Sequence, residues 1–145
     1  MKGLIQRVKR ASVKVEGQCV GEISTGLLLF LGLERGDDEL ASKKLLEKVL
    51  AYRVFPDVQG KMNLSLRDVS GELLIVSQFT IVANTRKGLR PSFSEGAAPE
   101  QGEYLYENFV NLAAASGLKV ATGEFGADMA VELINDGPVT FMLEV

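Results

Sequence analysis

"ELLIVSQFTIVAN", residues 72–84, is the stretch on which the reading of this chain turns. Leu73, Leu74, Ile75 and Val76 form an apolar run that predicts a fully buried strand. Ser77, Gln78 and Thr80 then follow, interleaved with Phe79 and succeeded by Ile81 and Val82. Strand alternation puts Gln78 and Thr80 on one face and Ser77 and Phe79 on the other. Two readings stand. In one, the strand end leaves the core and its polar groups bond to a neighbouring loop. In the other, backbone N–H groups lack a partner strand and point into a cleft, where they stabilise the oxyanion of an attacked carbonyl.

Outward from this strand, the pattern gives an ordinary single domain. "GLIQRVKRASVKVEGQCVGEI" alternates and breaks at Glu16-Gly17-Gln18, as a hairpin does. Gly26–Leu33 reads as another buried strand. A helix follows, capped by Asp37 or Asp38, with Leu40, Leu45, Val49 and Tyr52 on one stripe and Leu46 and Leu50 beside it. Pro56 stops it, and "FPDVQGKMNLSL" is a loop turning at Gln59-Gly60. Residues 84–98 form a loop long enough for a functional role. A second helix begins near Pro99, carries Leu105, Phe109, Leu112 and Ser116 on its stripe, and ends before Gly117. The tail predicts three strands, with turns near Gly126 and at Asn135–Gly137. Strands outnumber helices, so the fold class is α+β: mainly antiparallel β-sheets packed in layers with two α-helices.

The 145 residues are 46% hydrophobic and 24% charged, a composition that builds a core without staples. No apolar run approaches the ~18–20 residues of a membrane span. "MKGLIQRVKR" is too charged for a signal peptide, and the single Cys19 fits a reducing cytoplasm, so a cytoplasmic location is expected. Cys19 reads as a packing residue of the hairpin. Histidine is absent, which removes Ser-His-Asp and Cys-His catalysis and the usual zinc sites. No metal and no cofactor are expected. Thr80 as a nucleophile would have no imidazole to activate it.

The net charge of −3 opposes broad nucleic-acid binding and leaves room for a local contact with a few phosphates. Cations cluster at Lys2, Arg7, Lys9, Arg10 and Lys14, and again at Arg86, Lys87 and Arg90; a solvated face is the plain reading of each. "NDGPVT", residues 135–140, is a strong turn signal between alternating runs, with a plain hairpin as the default. Pro138 fits a hairpin poorly, since it removes a ladder donor from the returning strand.

"SQFT" and "NDGPVT", in this order, resemble the motifs of the bacterial and eukaryotic D-aminoacyl-tRNA deacylase family. The likeness covers essentially the whole chain, through "MKGLIQRVKRASVKVEGQCVGEISTGLLLFLGLERGD", "GKMNLSLRDVSGELLIVSQFT", "NTRKGLRPSF" and "GEFGADMAVELINDGPVTF". The usual SQFTL is SQFTI here, and Val82 and Asn84 stand where the family pattern has Tyr and Asp.

The resemblance implies a homodimeric hydrolase, without membrane or DNA partners, that cleaves the ester joining a D-amino acid to the tRNA 3′ end. It also implies removal of glycine mischarged on alanine tRNA. Catalysis would centre on Ser77, Gln78, Phe79 and Thr80. Gly137 and Pro138, as a Gly-cisPro motif entering the partner subunit's site, would reject L-amino acids. Arg7 would bond across the interface to orient that motif. A ribose 2′-OH beside the ester would assist attack, leaving the protein to position the ester and stabilise charge. Arg86, Lys87 and Arg90 are the expected RNA contacts, with Lys9 and Arg10 secondary, and Phe93 either walls the adenosine site or anchors its loop. Rival readings are an RNA-binding module without catalysis, a Thr80 esterase, and a structural dimerisation domain.

Overall fold

The computed structural model describes residues 1–145. In chain order the elements are β1 (Lys2–Val15), β2 (Gln18–Ile23), β3 (Gly26–Gly32), α1 (Glu39–Ala51), β4 (Phe55–Pro56), β5 (Met62–Leu64), β6 (Glu72–Ser77), α2 (Pro99–Ala114), β7 (Val120–Thr122) and β8 (Ala130–Glu144). A 3₁₀ turn, Phe79–Val82, follows β6.

The 14-residue β1 organises the sheet. It pairs antiparallel with β3 over Lys2–Val8, with β2 over Ala11–Val15, and with β8 over Lys2–Lys14. Glu16 and Gly17 make the expected turn to β2, both at positive φ. Beyond β3 the sheet becomes parallel: β6 runs with β3, and β7 with β6. Helices supply the crossovers, α1 before β6 and α2 before β7, and a crossover of that length is what parallel neighbours require. Four of the six pairings are antiparallel, so the α+β class holds, with a mixed main sheet.

The sheet curls into a barrel-like form. Edge strands β2 and β7 meet where the position of a Cβ on Gly21 would lie 2.3 Å from the Thr122 carbonyl oxygen. Alternation then explains why β3 and β6 are apolar on both faces. Leu27, Leu29, Leu31, Leu73 and Ile75 pack against α1 and α2, where Leu45, Val49, Leu105 and Phe109 complete the larger core. Leu28, Leu74 and Val76 turn the other way and join Val8, Ala11 and Val13 in a smaller core. Each such buried side chain contributes roughly 1.5–3 kcal/mol.

Helix α1 is capped by Asp38, whose carboxylate accepts from the Ala41 N–H at 2.8 Å. It ends at Ala51, so Tyr52 lies just past the helix in extended conformation rather than on its stripe. The "FPDVQGKMNLSL" loop contains the small β4–β5 ladder, closed by Asp57 accepting from the Gln59 and Lys61 N–H groups.

The tail departs from expectation. No hairpin forms at Asn135–Gly137; residues 130–144 are one strand that never reverses. Strand β1 is long enough to pair with both of its halves in one direction. The turn residues leave the ladder as a bulge: Gln6 pairs with Thr140 and Val8 with Asn135, so residues 136–139 all sit opposite Arg7.

Candidate active site

Strand β6 does not continue through the polar stretch. Its last residue, Ser77, pairs with Leu31, and the Gln78 N–H donates to the Leu31 carbonyl at 2.8 Å. The chain then turns, and the strand alternation expected for Gln78 to Thr80 gives way to a 3₁₀ turn. Gly32 makes this turn fit. A Cβ there would lie 2.5 Å from Ile81 Cγ1 and 2.8 Å from Val82 Cγ1.

The turn exposes two backbone donors. Ile81 N–H bonds to the Gln78 carbonyl and Ala83 N–H to that of Thr80. The Phe79 and Thr80 N–H groups open the turn and have no acceptor in the chain, as the first donors of any helix lack one. Of the donors expected around residues 78–80, the Gln78 N–H is therefore occupied and the other two are available. The Gln78 side-chain amide donates to Thr80 Oγ1 and ties the turn together. No histidine exists to activate that hydroxyl.

Beside the turn lies a cavity of about 490 Å³. Ser77, Gln78 and Phe79 form one wall, Phe93 to Pro99 a second, and Phe125 to Met129 a third. Phe79 is 65% exposed and its ring lies 5.1 Å from that of Phe93, across the cavity mouth. Asp128 is the single ionisable residue in the lining. Behind it, Tyr106 packs on Phe125 and donates to the Ile75 carbonyl at 2.9 Å. Burial pushes the Tyr106 phenol up to about 12, so it stays a donor and never serves as a base near neutrality. A concave, mostly apolar site with a few convergent polar groups suits a small organic moiety. No three His, Cys, Asp or Glu side chains converge as a metal site.

The bulge of β8 is the second constellation. The Gly137-Pro138 peptide is cis, and Gly137 has φ +144°, a region that L side chains rarely adopt. A Cβ on Gly137 would stand 2.6 Å from Val139 Cγ2 and 3.3 Å from Arg7 Nη2. Arg7 braces the bulge within its own chain: Nε donates to the Asp136 carbonyl at 2.9 Å and Nη1 to the Val54 carbonyl at 2.6 Å. Asn135 clasps the far side, its Oδ1 accepting from the Val139 N–H at 2.7 Å and its Nδ2 donating to Thr140 Oγ1 at 2.9 Å. Gly137 and Pro138 do not line the cavity of their own chain.

Arg86, Lys87 and Arg90 are exposed and form no ion pair. Their loop is closed by Asn84 and Ser92, which exchange both backbone hydrogen bonds, and it leads directly to Phe93 at the cavity. The two secondary candidates differ: Arg10 is paired with Glu132 at 2.6 Å, whereas Lys9 is free. Cys19 is exposed on the hairpin rather than packed.

The structure brings Ser77, Gln78, Phe79 and Phe93 to one cavity, with Thr80 on the turn beside it but not in its lining, and Arg7, Gly137 and Pro138 to another place. Sequence reading missed the third wall (Phe125, Asp128 and Met129) and the bracing roles of Asn135 and the Val54 carbonyl. "EFGADM" carries no periodicity to mark it; an Asn two residues before Gly-Pro was the available signal for the clasp.

The family model described as D-Tyr-tRNA(Tyr) deacylase matches residues 4–144. A D-aminoacyl-tRNA deacylase of Pseudoalteromonas translucida (strain TAC 125) is 61% identical over 145 residues, covering all of both chains. One from Shewanella loihica (strain ATCC BAA-1088 / PV-4) is 58% identical over the same span, again with both chains fully covered. Among solved structures, the c-Myc DNA Unwinding Element Binding Protein superposes with a TM-score of 0.94 at 38% identity, covering 100% of this chain and 99% of its own. A probable eukaryotic D-amino acid tRNA deacylase, 17% identical, gives 0.84 over 99% of this chain and 98% of that one, a likeness of fold.

Proposed function

Since the chain belongs to the D-Tyr-tRNA(Tyr) deacylase family and is a hydrolase of D-aminoacyl-tRNA esters, we propose that backbone and RNA, rather than a side-chain base, carry its chemistry. The terminal adenosine enters the cavity, and the ester lies at the Phe79–Thr80 turn. Water, assisted by the ribose 2′-OH, attacks the carbonyl carbon. A new C–O bond forms, the bond to ribose O3′ breaks, and a proton reaches O3′, leaving free amino acid and tRNA. The Phe79 and Thr80 N–H groups receive the charge that develops on the carbonyl oxygen. Gln78 holds Thr80 in place, and Ser77 ends the strand that aims the turn.

The observation that carries this reading is the pair of unpartnered N–H groups beside an apolar cavity, in a chain without histidine. Catalysis by preorganised donors needs no imidazole, and the chain has none.

Selectivity belongs to the bulge of β8 in a homodimer. Gly137 and Pro138, which do not line their own cavity, reach that of the partner, where they form a wall with room only for hydrogen. An L side chain collides with it, a D side chain points outward, and glycine has nothing to collide, so glycine on alanine tRNA is removed as well. Exposed Ile134 and Phe141 on β8 give the second copy apolar surface to cover. Arg86, Lys87 and Arg90 bind phosphates near the 3′ end, in a cytoplasmic setting. The net charge of −3 argues against duplex DNA as a substitute partner.

The test is deacylation of D-, L- and glycyl-tRNA, each with a normal and a 2′-deoxy terminal adenosine. Hydrolysis of the D and glycyl esters, lost on removing the 2′-OH and largely kept in Thr80→Ala, is the expected result. A trapped Thr80 acyl-enzyme overturns it.

A further inference from the structure

Leu89 is wholly exposed, at 103% of its reference surface, and sits at the apex of the loop between Lys87 and Arg90. The loop is a built structure. Asn84 and Ser92 close its base with backbone bonds of 2.8 and 3.0 Å, and Asn84 Oδ1 accepts from the Arg86 N–H at 3.0 Å. Gly88, at φ +67°, makes the apex turn that leaves Leu89 outside. Within residues 85–91 there is no acidic side chain; the nearest, Glu95, lies below the closure and accepts from Asn84 Nδ2.

A lone exposed leucine needs no explanation by itself. This one stands among three cations that have no acidic partner, on a tethered loop whose descending limb supplies Phe93 to the cavity. Cations for phosphates, with an apolar tip for the face of a base or ribose, is the division of labour seen where proteins insert leucine wedges into nucleic acid.

We propose that residues 85–91 are a leucine-tipped finger that docks on the acceptor end of the tRNA beyond the reacting adenosine. Leu89 packs against an unstacked base or ribose face there, while Arg86, Lys87 and Arg90 hold the flanking phosphates. The proposal rests on the reading that the cavity takes the aminoacylated 3′ end. It adds a second, remote point of recognition, so the enzyme measures more of the RNA than its last nucleotide.

The test compares D-aminoacyl-tRNA with D-aminoacyl-adenosine, which carries the same ester and 2′-OH without the acceptor end. Leu89→Ser is expected to lower kcat/KM on the tRNA about fivefold through KM, with the adenosine ester cleaved as before and the melting temperature unchanged. Replacing Arg86, Lys87 and Arg90 with Gln is expected to flatten the slope of log KM against log salt by about 2, the value for three phosphates on a single strand. An equal loss on both substrates, or none on the tRNA, overturns the finger, as does competition by duplex DNA at the same concentration as by tRNA. Should the unaltered enzyme cleave neither ester, the fault lies with the cavity reading instead.

Discussion

Gly32→Ala tests the link between packing and chemistry most directly. The new methyl would stand 2.5 Å from Ile81 Cγ1, 2.8 Å from Val82 Cγ1 and 2.9 Å from Ile81 Cδ1. Carbon atoms in contact settle at about 3.5–4.0 Å, so the turn must retreat by about 1 Å. Ile81 and Val82 are both branched at Cβ and stiff at χ1, and Val82 is buried, so neither swings aside. The turn moves as a unit and carries the Phe79 and Thr80 N–H groups with it. Overpacking of this kind costs about 1–3 kcal/mol, which lowers the melting temperature of a 145-residue domain by about 3–9 °C. A misplacement of about 1 Å in the donors costs about 10²-fold in rate. Assayed well below its transition, the variant is expected to lose about 10² in kcat on D-aminoacyl-tRNA with KM little changed. Adding Ile81→Ala removes the two Ile81 contacts and should recover part of both losses, a coupling that distant sites do not show. A lower melting temperature with kcat within about threefold of the parent would refute the assignment of catalysis to these donors.

Four further outcomes are expected. Arg7→Lys cannot serve both the Asp136 and Val54 carbonyls, so the L-to-D rejection ratio should narrow about tenfold while D-aminoacyl-tRNA turnover stays within about threefold, as initial rates on the two esters will show. Gly137→Ala forces a Cβ to 2.6 Å from Val139 Cγ2 at a φ of +144°, and deacylation of glycyl-tRNA should fall at least about tenfold while the bonded Ile81 and Ala83 amides of the 79–82 turn keep their protection in hydrogen exchange. Burial holds the Tyr106 phenol at about 12 against an ordinary 10.0, so its folding contribution is complete below pH 10 and is lost as pH rises towards 12; denaturant titrations should show Tyr106→Phe escaping about 2–3 kcal/mol of that loss. The Met1 ammonium is desolvated, which lowers its pKa, yet bonds to Asp37 and Glu34 outweigh this and raise it above 8.0. Stability from that cluster is therefore complete below pH 8 and fades as pH climbs through the raised value, and Glu34→Gln with Asp37→Asn should flatten unfolding curves across that window.

The fold class was legible because burial follows alternation. Leu27 to Leu31 and Leu73 to Val76 announce strands covered on both faces, and Leu45, Val49, Leu105 and Phe109 announce the helices that cover one of them. The course of the tail was hidden. Asn135-Asp136-Gly137 has the local chemistry of a reversal, and only the length of β1, a partner more than 120 residues away in sequence, keeps the chain running straight past it. Strand β6 was foreseen, and its end among the polar residues was one of two open readings, but the turn that follows was not, since Phe79 to Val82 have strand-like propensities that the close approach of Gly32 overrides. Local pattern speaks for local structure; contacts set by distant segments leave little trace in it.

That limit bears on the site itself. A catalytic histidine or a thiolate is visible as a residue type, whereas an N–H donor is common to every residue except proline. What distinguishes the donors of Phe79 and Thr80 is the absence of a partner, and that absence is produced elsewhere. Leu31 takes the Gln78 N–H just past the strand's last residue, Ser77, and Gly32 leaves the space into which the turn folds. On the proposed mechanism, the residues that make the chemistry available therefore lie in β3, some fifty positions away from the residues that perform it. A change at Gly32 should damage turnover as severely as a change within "SQFT", although a Cβ there would meet Ile81 and Val82, and Gly32 lies outside the cavity lining.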